Sequence, residues 1–258
     1  MRWDGAVAVV TGASRGIGRE VAKQAARHGA SVGLMARSVD DLEAVLAEIG
    51  GRGAVAVADV ADRPAAEEAV ARLAADLGPV DILVNNAGIG SYGRVSELAV
   101  EEFERVMRVN YFSAVYVTKA VLPSMLERRR GHIVNLASIA GRIGAPMEAA
   151  YSASKFAMVG FTEALAFEVG PAGIGVSMVN PGPVETEFFA TRGHAYEGSF
   201  PKPVSPGRVA HAVIEVVEHD GLERVIPASL RPAVAVRHVL PPLYRRGTAR
   251  VLARQLQQ

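Results

Sequence analysis

The sequence predicts an α/β chain folded as one domain around a doubly wound parallel sheet of about seven strands. Three observations carry that expectation: short runs rich in Val, Ala and Ile recur along the chain, helical stretches separate them, and a glycine-rich turn follows the first run. The runs fall at 6–10, 31–36, 54–58, 81–84, 132–136, 175–179 and 224–227. They are continuously apolar rather than alternating, as strands are when helices cover both faces of their sheet. Between them, 18–28 places Val21, Ala22 and Ala25 on one helical face and stops at Gly29. Residues 40–49 and 64–77 read alike, with Pro64 suited to a first helical turn. A longer helical segment begins at Tyr151 and ends near Val169. The alternation makes 1–228 one unit, and 193–207, rich in Gly, Pro and Ser, reads as a mobile loop within it.

Composition narrows the function. Of 258 residues half are apolar, and 28 basic residues nearly cancel 27 acidic ones, so no nucleic-acid partner is expected. The chain lacks cysteine, which removes disulfides, thiolate zinc sites and cysteine nucleophiles. Its six histidines are scattered without close pairing, so no metal is expected. The first residues run straight into a strand pattern, so no secretory signal is expected. No apolar stretch reaches the ~18 residues of a membrane span, so a cytoplasmic location is expected.

The first run ends in Thr11-Gly12-Ala13-Ser14-Arg15-Gly16-Ile17-Gly18, and Gly18 opens a helix. Glycines there let the backbone turn sharply and approach a pyrophosphate, whose charge the helix N-terminus stabilises. With a strand before and a helix after, this is a Rossmann-type dinucleotide site that uses Gly12, Ser14, Arg15, Gly16, Ile17 and Gly18. The second run ends Ala36-Arg37 where an acid would otherwise hold the adenosine ribose. Arg15 and Arg37 together favour a 2′-phosphate, hence NADP(H) over NAD(H).

Tyr151 and Lys155 lie one turn apart on one helical face. A phenol with a pKa of about 10 is a poor base at neutrality, and an adjacent ammonium favours its ionised form. Ser138 emerges just past a strand at the carboxyl edge of the sheet, where its hydroxyl can hold a substrate oxygen. Asn85-Asn86-Ala87-Gly88 ends another strand at that edge, and Asn110 is a polar amide in an apolar helical stretch, suited to anchoring a water in a proton relay.

In these motifs, from residue 5 to about 190, the chain resembles the short-chain dehydrogenase/reductase family. The glycine motif is matched by Thr11, Gly12, Gly16 and Gly18, the adenine contact by Asp59 followed by Val60, and the stabilising Asn-Asn-Ala-Gly by Asn85 to Gly88. The catalytic tetrad is matched by Asn110, Ser138, Tyr151 and Lys155, and the turn after the sixth strand by Asn180-Pro181-Gly182. The resemblance implies that Asn86, Ala87, Gly88, Pro181, Gly182, Val184 and Thr186 join the cofactor site, Thr186 at the nicotinamide carboxamide. It further implies that Tyr151 and Lys155 touch the cofactor, Lys155 at the nicotinamide ribose, and that the chain forms a homodimer or tetramer.

The expected reaction is hydride transfer between NADP(H) and a neutral, lipophilic ketone, aldehyde or secondary alcohol. Its pocket would draw on Ser138, Tyr92, Met147, Phe188 and Phe189, with a variable loop at 187–206 and no Arg or Lys close enough in sequence to demand a carboxylate apart from Arg142. A non-catalytic NADP(H)-binding regulator or scaffold of the same fold is the alternative. Residues 229–258 depart from the family pattern as a basic, apolar extension: from 231 onward there are six arginines and no acid, with Leu256 among the apolar positions. That composition fits a partner subunit, peripheral contact with an anionic membrane, or a helix folded over the substrate loop.

Overall fold

The computed structural model describes residues 1–196, 198 and 201–255. In chain order the elements are β1 (Val7–Thr11), α1 (Gly16–Arg27), β2 (Ser31–Ala36), α2 (Val39–Glu48), β3 (Gly53–Val57), α3 (Arg63–Leu77), β4 (Ile82–Asn85) and α4 (Val100–Met107). A π-helical turn, Arg108–Phe112, leads into α5 (Ser113–Arg128), followed by β5 (Gly131–Leu136), α6 (Ala149–Val169) and β6 (Ile174–Pro181). The chain continues through α7 (Phe188–Thr191), α8 (Pro206–His219), β7 (Glu223–Ile226), α9 (Arg231–Val239) and α10 (Pro241–Gln255). Every strand lies within one or two residues of its expected place, as expected for boundaries read from pattern alone.

The seven strands pair in parallel in the order β3-β2-β1-β4-β5-β6-β7. Strand side chains alternate between faces, so the continuous apolar runs supply two cores. Ala8, Val10, Val32 and Leu34 pack with α1 and α8 on one face, while Val9, Met35, Leu83 and Ile133 pack with α3, α5 and α6 on the other. Ser38 and Asp62 begin α2 and α3 by accepting the Asp41 and Ala65 amides, at 3.4 and 3.2 Å. The order reverses between β1 and β4, which opens a crevice at their carboxyl ends. Among the described residues no helix is long and apolar enough to cross a membrane, and no three His, Asp or Glu side chains gather as metal ligands.

Candidate active site

The crevice is framed by the turns after β1 and β4. Gly12 has φ +64°, and a Cβ there would lie 3.0 Å from the Ala87 Cα. A Cβ on Gly18 would overlap the Gly12 carbonyl oxygen, so only glycine lets α1 start this close to the turn. Thr11 Oγ1 accepts the Asn86 and Ala87 amides, both at 3.0 Å, and the Asn86 side chain donates to the carbonyls of Thr11 and Gly12 at 2.9 and 3.1 Å. The Asn86 amide therefore braces the glycine turn with its side chain. No side chain caps the N-terminus of α1 and no acid sits in its first turn, leaving the amides and dipole there suited to an anion. Ser14 and Ile17 lie on this turn, Ile17 packing partly into the core. The cradle that a Cβ would fill and the uncapped helix fit a dinucleotide pyrophosphate.

Arg37 is exposed at the end of β2 and has no ion pair or hydrogen bond among the described residues. Arg15 is engaged with Glu187 at 2.9 Å across an exposed ion pair. Asp59 is exposed just past β3, its carboxylate accepting the Ala61 amide at 2.9 Å, while Val60 is buried below it. Gly88 lies beside the Asn110 amide and Lys155 Nζ. Pro181 closes β6, and the Gly182 amide donates to Ile226 O at 2.7 Å. Thr186 stands over Gly16, with its methyl 3.3 Å from where a Cβ would be. Val184 is buried in the same core cluster as Val204, with which it forms a backbone bridge.

The first two turns of α6 bring Tyr151 and Lys155 under this crevice, both buried. Ser138 follows β5; its hydroxyl accepts the Ala140 amide at 3.1 Å, donates weakly to Pro181 O at 3.4 Å, and is close enough to Tyr151 to favour the phenolate. Burial nevertheless dominates: it pushes the Tyr151 phenol up to about 12, with the Glu148 carboxylate adding to the rise and Ser138 and Arg192 opposing it. Lys155 donates from Nζ to Leu136 O at 2.8 Å and lies 5.8 Å from the Tyr151 ring centre, and burial pushes it down to about 8. Burial here outweighs the groups that favour the phenolate. Desolvation disfavours both charged forms, and Lys155 is aimed at a carbonyl instead of the hydroxyl.

Asn110 has its side chain engaged within the protein. It sits in the π-helical turn, completely buried, and its amide accepts from Ile89 N at 2.7 Å and donates to Ile89 O and Ser154 Oγ, both at 2.9 Å. Those bonds use both amide protons, so the side chain fastens the segment after Gly88 to α6 and keeps acceptor capacity on Oδ1 for a water. A buried polar row lies beneath: Asn85, which opens the Asn-Asn-Ala-Gly motif, donates to Thr118 and Asn135 at 3.1 and 2.8 Å, and Asn135 donates to Thr162 at 2.8 Å. Asn135, Thr118 and Thr162 were missed from sequence, where the signal was a polar Asn within the apolar run at 132–136.

The segment around α7 closes over the phenol. The Phe188 ring is 5.4 Å from that of Tyr151 and 5.7 Å from Phe189, so both phenylalanines face the same aromatic wall. Met147 adopts a left-handed φ of +64°, rare for this side chain, and its carbonyl accepts the Gly93 amide at 2.8 Å, joining the two cleft walls. Arg192 was not found from sequence. Its side chain, 4% exposed, pairs with Glu148 and lies over the rings of Tyr92 and Phe189 at 5.2 and 4.7 Å. Arg142, the basic residue expected near the pocket, is instead held by Glu163 and Glu223 at 2.9 and 2.5 Å. Of the loop at 187–206, residues 197, 199 and 200 lie outside the described residues.

Known proteins are similar to this chain in sequence and fold. A family model described as short chain dehydrogenase matches residues 6–197. The mouse protein "Dehydrogenase/reductase SDR family member 7B" is 38% identical over 256 residues, spanning 93% of this chain and 79% of the relative. The Escherichia coli "3-oxoacyl-[acyl-carrier-protein] reductase FabG" is 37% identical over 188 residues, 73% of this chain and 77% of the relative. Among solved structures, an actinorhodin polyketide ketoreductase with NADPH superposes with a TM-score of 0.81 at 36% identity, covering 88% of this chain and 97% of the other. A short chain dehydrogenase/reductase from Burkholderia phymatum in complex with NAD gives 0.86 at 25% identity, covering 94% and 96%.

Proposed function

The chain belongs to the short-chain dehydrogenase family of oxidoreductases, and from that premise we propose that it interconverts a neutral, lipophilic ketone or aldehyde and its alcohol with NADP(H). The observation that carries the reading is the buried Tyr151 phenol set beside the Ser138 hydroxyl, one helical turn from Lys155, at the mouth of an uncapped glycine turn. The bound nicotinamide supplies or takes the hydride.

The chain's own groups do the rest. Gly12, Gly16 and Gly18 would admit a pyrophosphate to the α1 N-terminus, and Arg37 would hold a 2′-phosphate together with Arg15, which is paired with Glu187. Ser138 and Tyr151 grip the substrate oxygen from one side. Because burial keeps the phenol protonated, Tyr151 is ready to donate from its hydroxyl to the developing alkoxide in reduction. Lys155, fixed by Leu136 O, places a positive charge beneath the phenol and stabilises the phenolate left after transfer. Phe188, Phe189 and Tyr92 exclude water and favour an apolar substituent.

NADPH absorbance followed against neutral ketones, aldehydes and quinones tests the reading; NADPH binding without turnover of any of them would leave only the non-catalytic alternative. Cofactor choice is tested separately. Arg37→Ala should weaken NADPH about ten- to a hundredfold and leave NADH unchanged, since it removes one charge-assisted contact. Equal affinity of the unaltered protein for the two cofactors would overturn the NADP(H) assignment.

A further inference from the structure

Among the described residues, two contacts tie the C-terminal helices to the body through side chains. Tyr244 donates to Gly144 O at 3.2 Å and Arg237 lies over the Phe156 ring at 4.7 Å, while Arg231, Arg245 and Arg246 have no ion pair among the described residues. At the corner between α9 and α10 the run Val239-Leu240-Pro241-Pro242-Leu243 is exposed throughout, with Val239 75%, Leu240 52% and Leu243 57% exposed. Five apolar residues in a row on a surface corner need a partner, and their flanks identify its charge. From 231 onward the chain carries six arginines and no acid, whereas the remainder carries 22 basic against 27 acidic residues. The positive charge is therefore concentrated at this end.

We propose that this corner docks onto the surface of an anionic phospholipid bilayer, with Leu240 and Leu243 entering the interface and Arg245 and Arg246 meeting the headgroup phosphates. An apolar tip rimmed by guanidinium groups matches an anionic interface: apolar burial and charge attraction act on the same few residues. Beside the tip, a groove of about 660 Å³ lined in part by Phe156, Arg237, His238 and Arg245 offers a cationic recess with an aromatic floor. A second copy of the chain is less suitable, because a symmetric pairing would set two acid-free arginine segments against each other. Docking also serves the cleft. Gly144, which Tyr244 grips, belongs to the segment leading into Tyr151, so the bilayer would lie beside the entry for lipophilic substrates; this last link alone rests on the proposed dehydrogenase function.

The test spins the full-length protein with vesicles of mixed phosphatidylglycerol and phosphatidylcholine, and with phosphatidylcholine alone. Sedimentation is expected with the anionic vesicles only, falling as salt is raised. Arg245→Glu combined with Arg246→Glu should weaken it at least about thirtyfold, and Leu240→Ser combined with Leu243→Ser more than about tenfold. NADPH binding, which reports the cofactor site independently, should be unchanged in both variants. Failure of the unaltered protein to sediment, equal sedimentation with both vesicle types, or variants that lose self-association by analytical ultracentrifugation while still binding vesicles would each overturn the proposal.

Discussion

Tyr151 shows how one side chain's chemistry is decided by its surroundings. Its phenol is pushed up to about 12 by burial and Lys155 is pushed down to about 8, so the pocket holds a neutral acid above a cation that is easily lost. Carbonyl reduction should therefore hold through neutral pH and fall above about pH 8 as Lys155 deprotonates, which a pH–rate profile with saturating NADPH would show. Tyr151→Phe removes the proton while keeping the ring against Phe188; turnover should drop at least about a hundredfold with NADPH affinity preserved, measured by stopped-flow and fluorescence. Arg192 acts on the same centre from the other side. Arg192→Met would leave Glu148 unpaired and loosen the contact with Tyr92 and Phe189, so KM for a lipophilic ketone should rise about tenfold or more with a smaller change in kcat.

At the scale of elements, β5 carries two polar residues that its apolar neighbours conceal. Asn135 ties β4 to α6 through Asn85 and Thr162, and His132 bonds Ser177 of β6 at 2.8 Å. Gly175, paired with His132 in register, is required because a Cβ there would overlap the imidazole. Burial pushes His132 down to about 4 from its ordinary 6.5. Below about pH 6.5 the unfolded chain binds a proton that the folded one refuses, so stability is full above that value and is lost as the pH falls toward 4. The loss between about pH 7 and about pH 5 should be on the order of 2 kcal/mol. His132→Gln should remove that share of the pH dependence, read from urea midpoints at the two pH values; an unchanged slope would show that the carboxylates dominate.

For the whole molecule, α6 offers the face best suited to a second copy. On α6, Ala153, Gly160, Ala164 and Phe167 form one exposed stripe, Gly160 has nothing within 4 Å of its Cβ position, and Phe167 is 79% exposed. Phe112, just before α5, is also exposed. Small residues with a flanking aromatic allow two α6 helices to approach closely, which fits the homodimer expected from the family resemblance. Phe167→Arg is expected to weaken that dimer at least about a hundredfold, since two rings are lost from burial and two charges enter. Sedimentation velocity across a dilution series measures it, and a monomer in the unaltered protein would exclude this interface.

Strand positions, the glycine turn and the order of Asn110, Ser138, Tyr151 and Lys155 were legible in the sequence, because periodicity and short spacing are local properties that a parallel sheet carries to its carboxyl edge. What those residues do there depended on neighbours distant along the chain. Asn110 spends its amide on Ile89 and Ser154, Val184 turns into the core, Arg142 is taken by Glu223, and Arg192 arrives beside Tyr92. Only the tertiary structure decided these, since burial and long-range pairing set both a side chain's partners and the free energy of its charge.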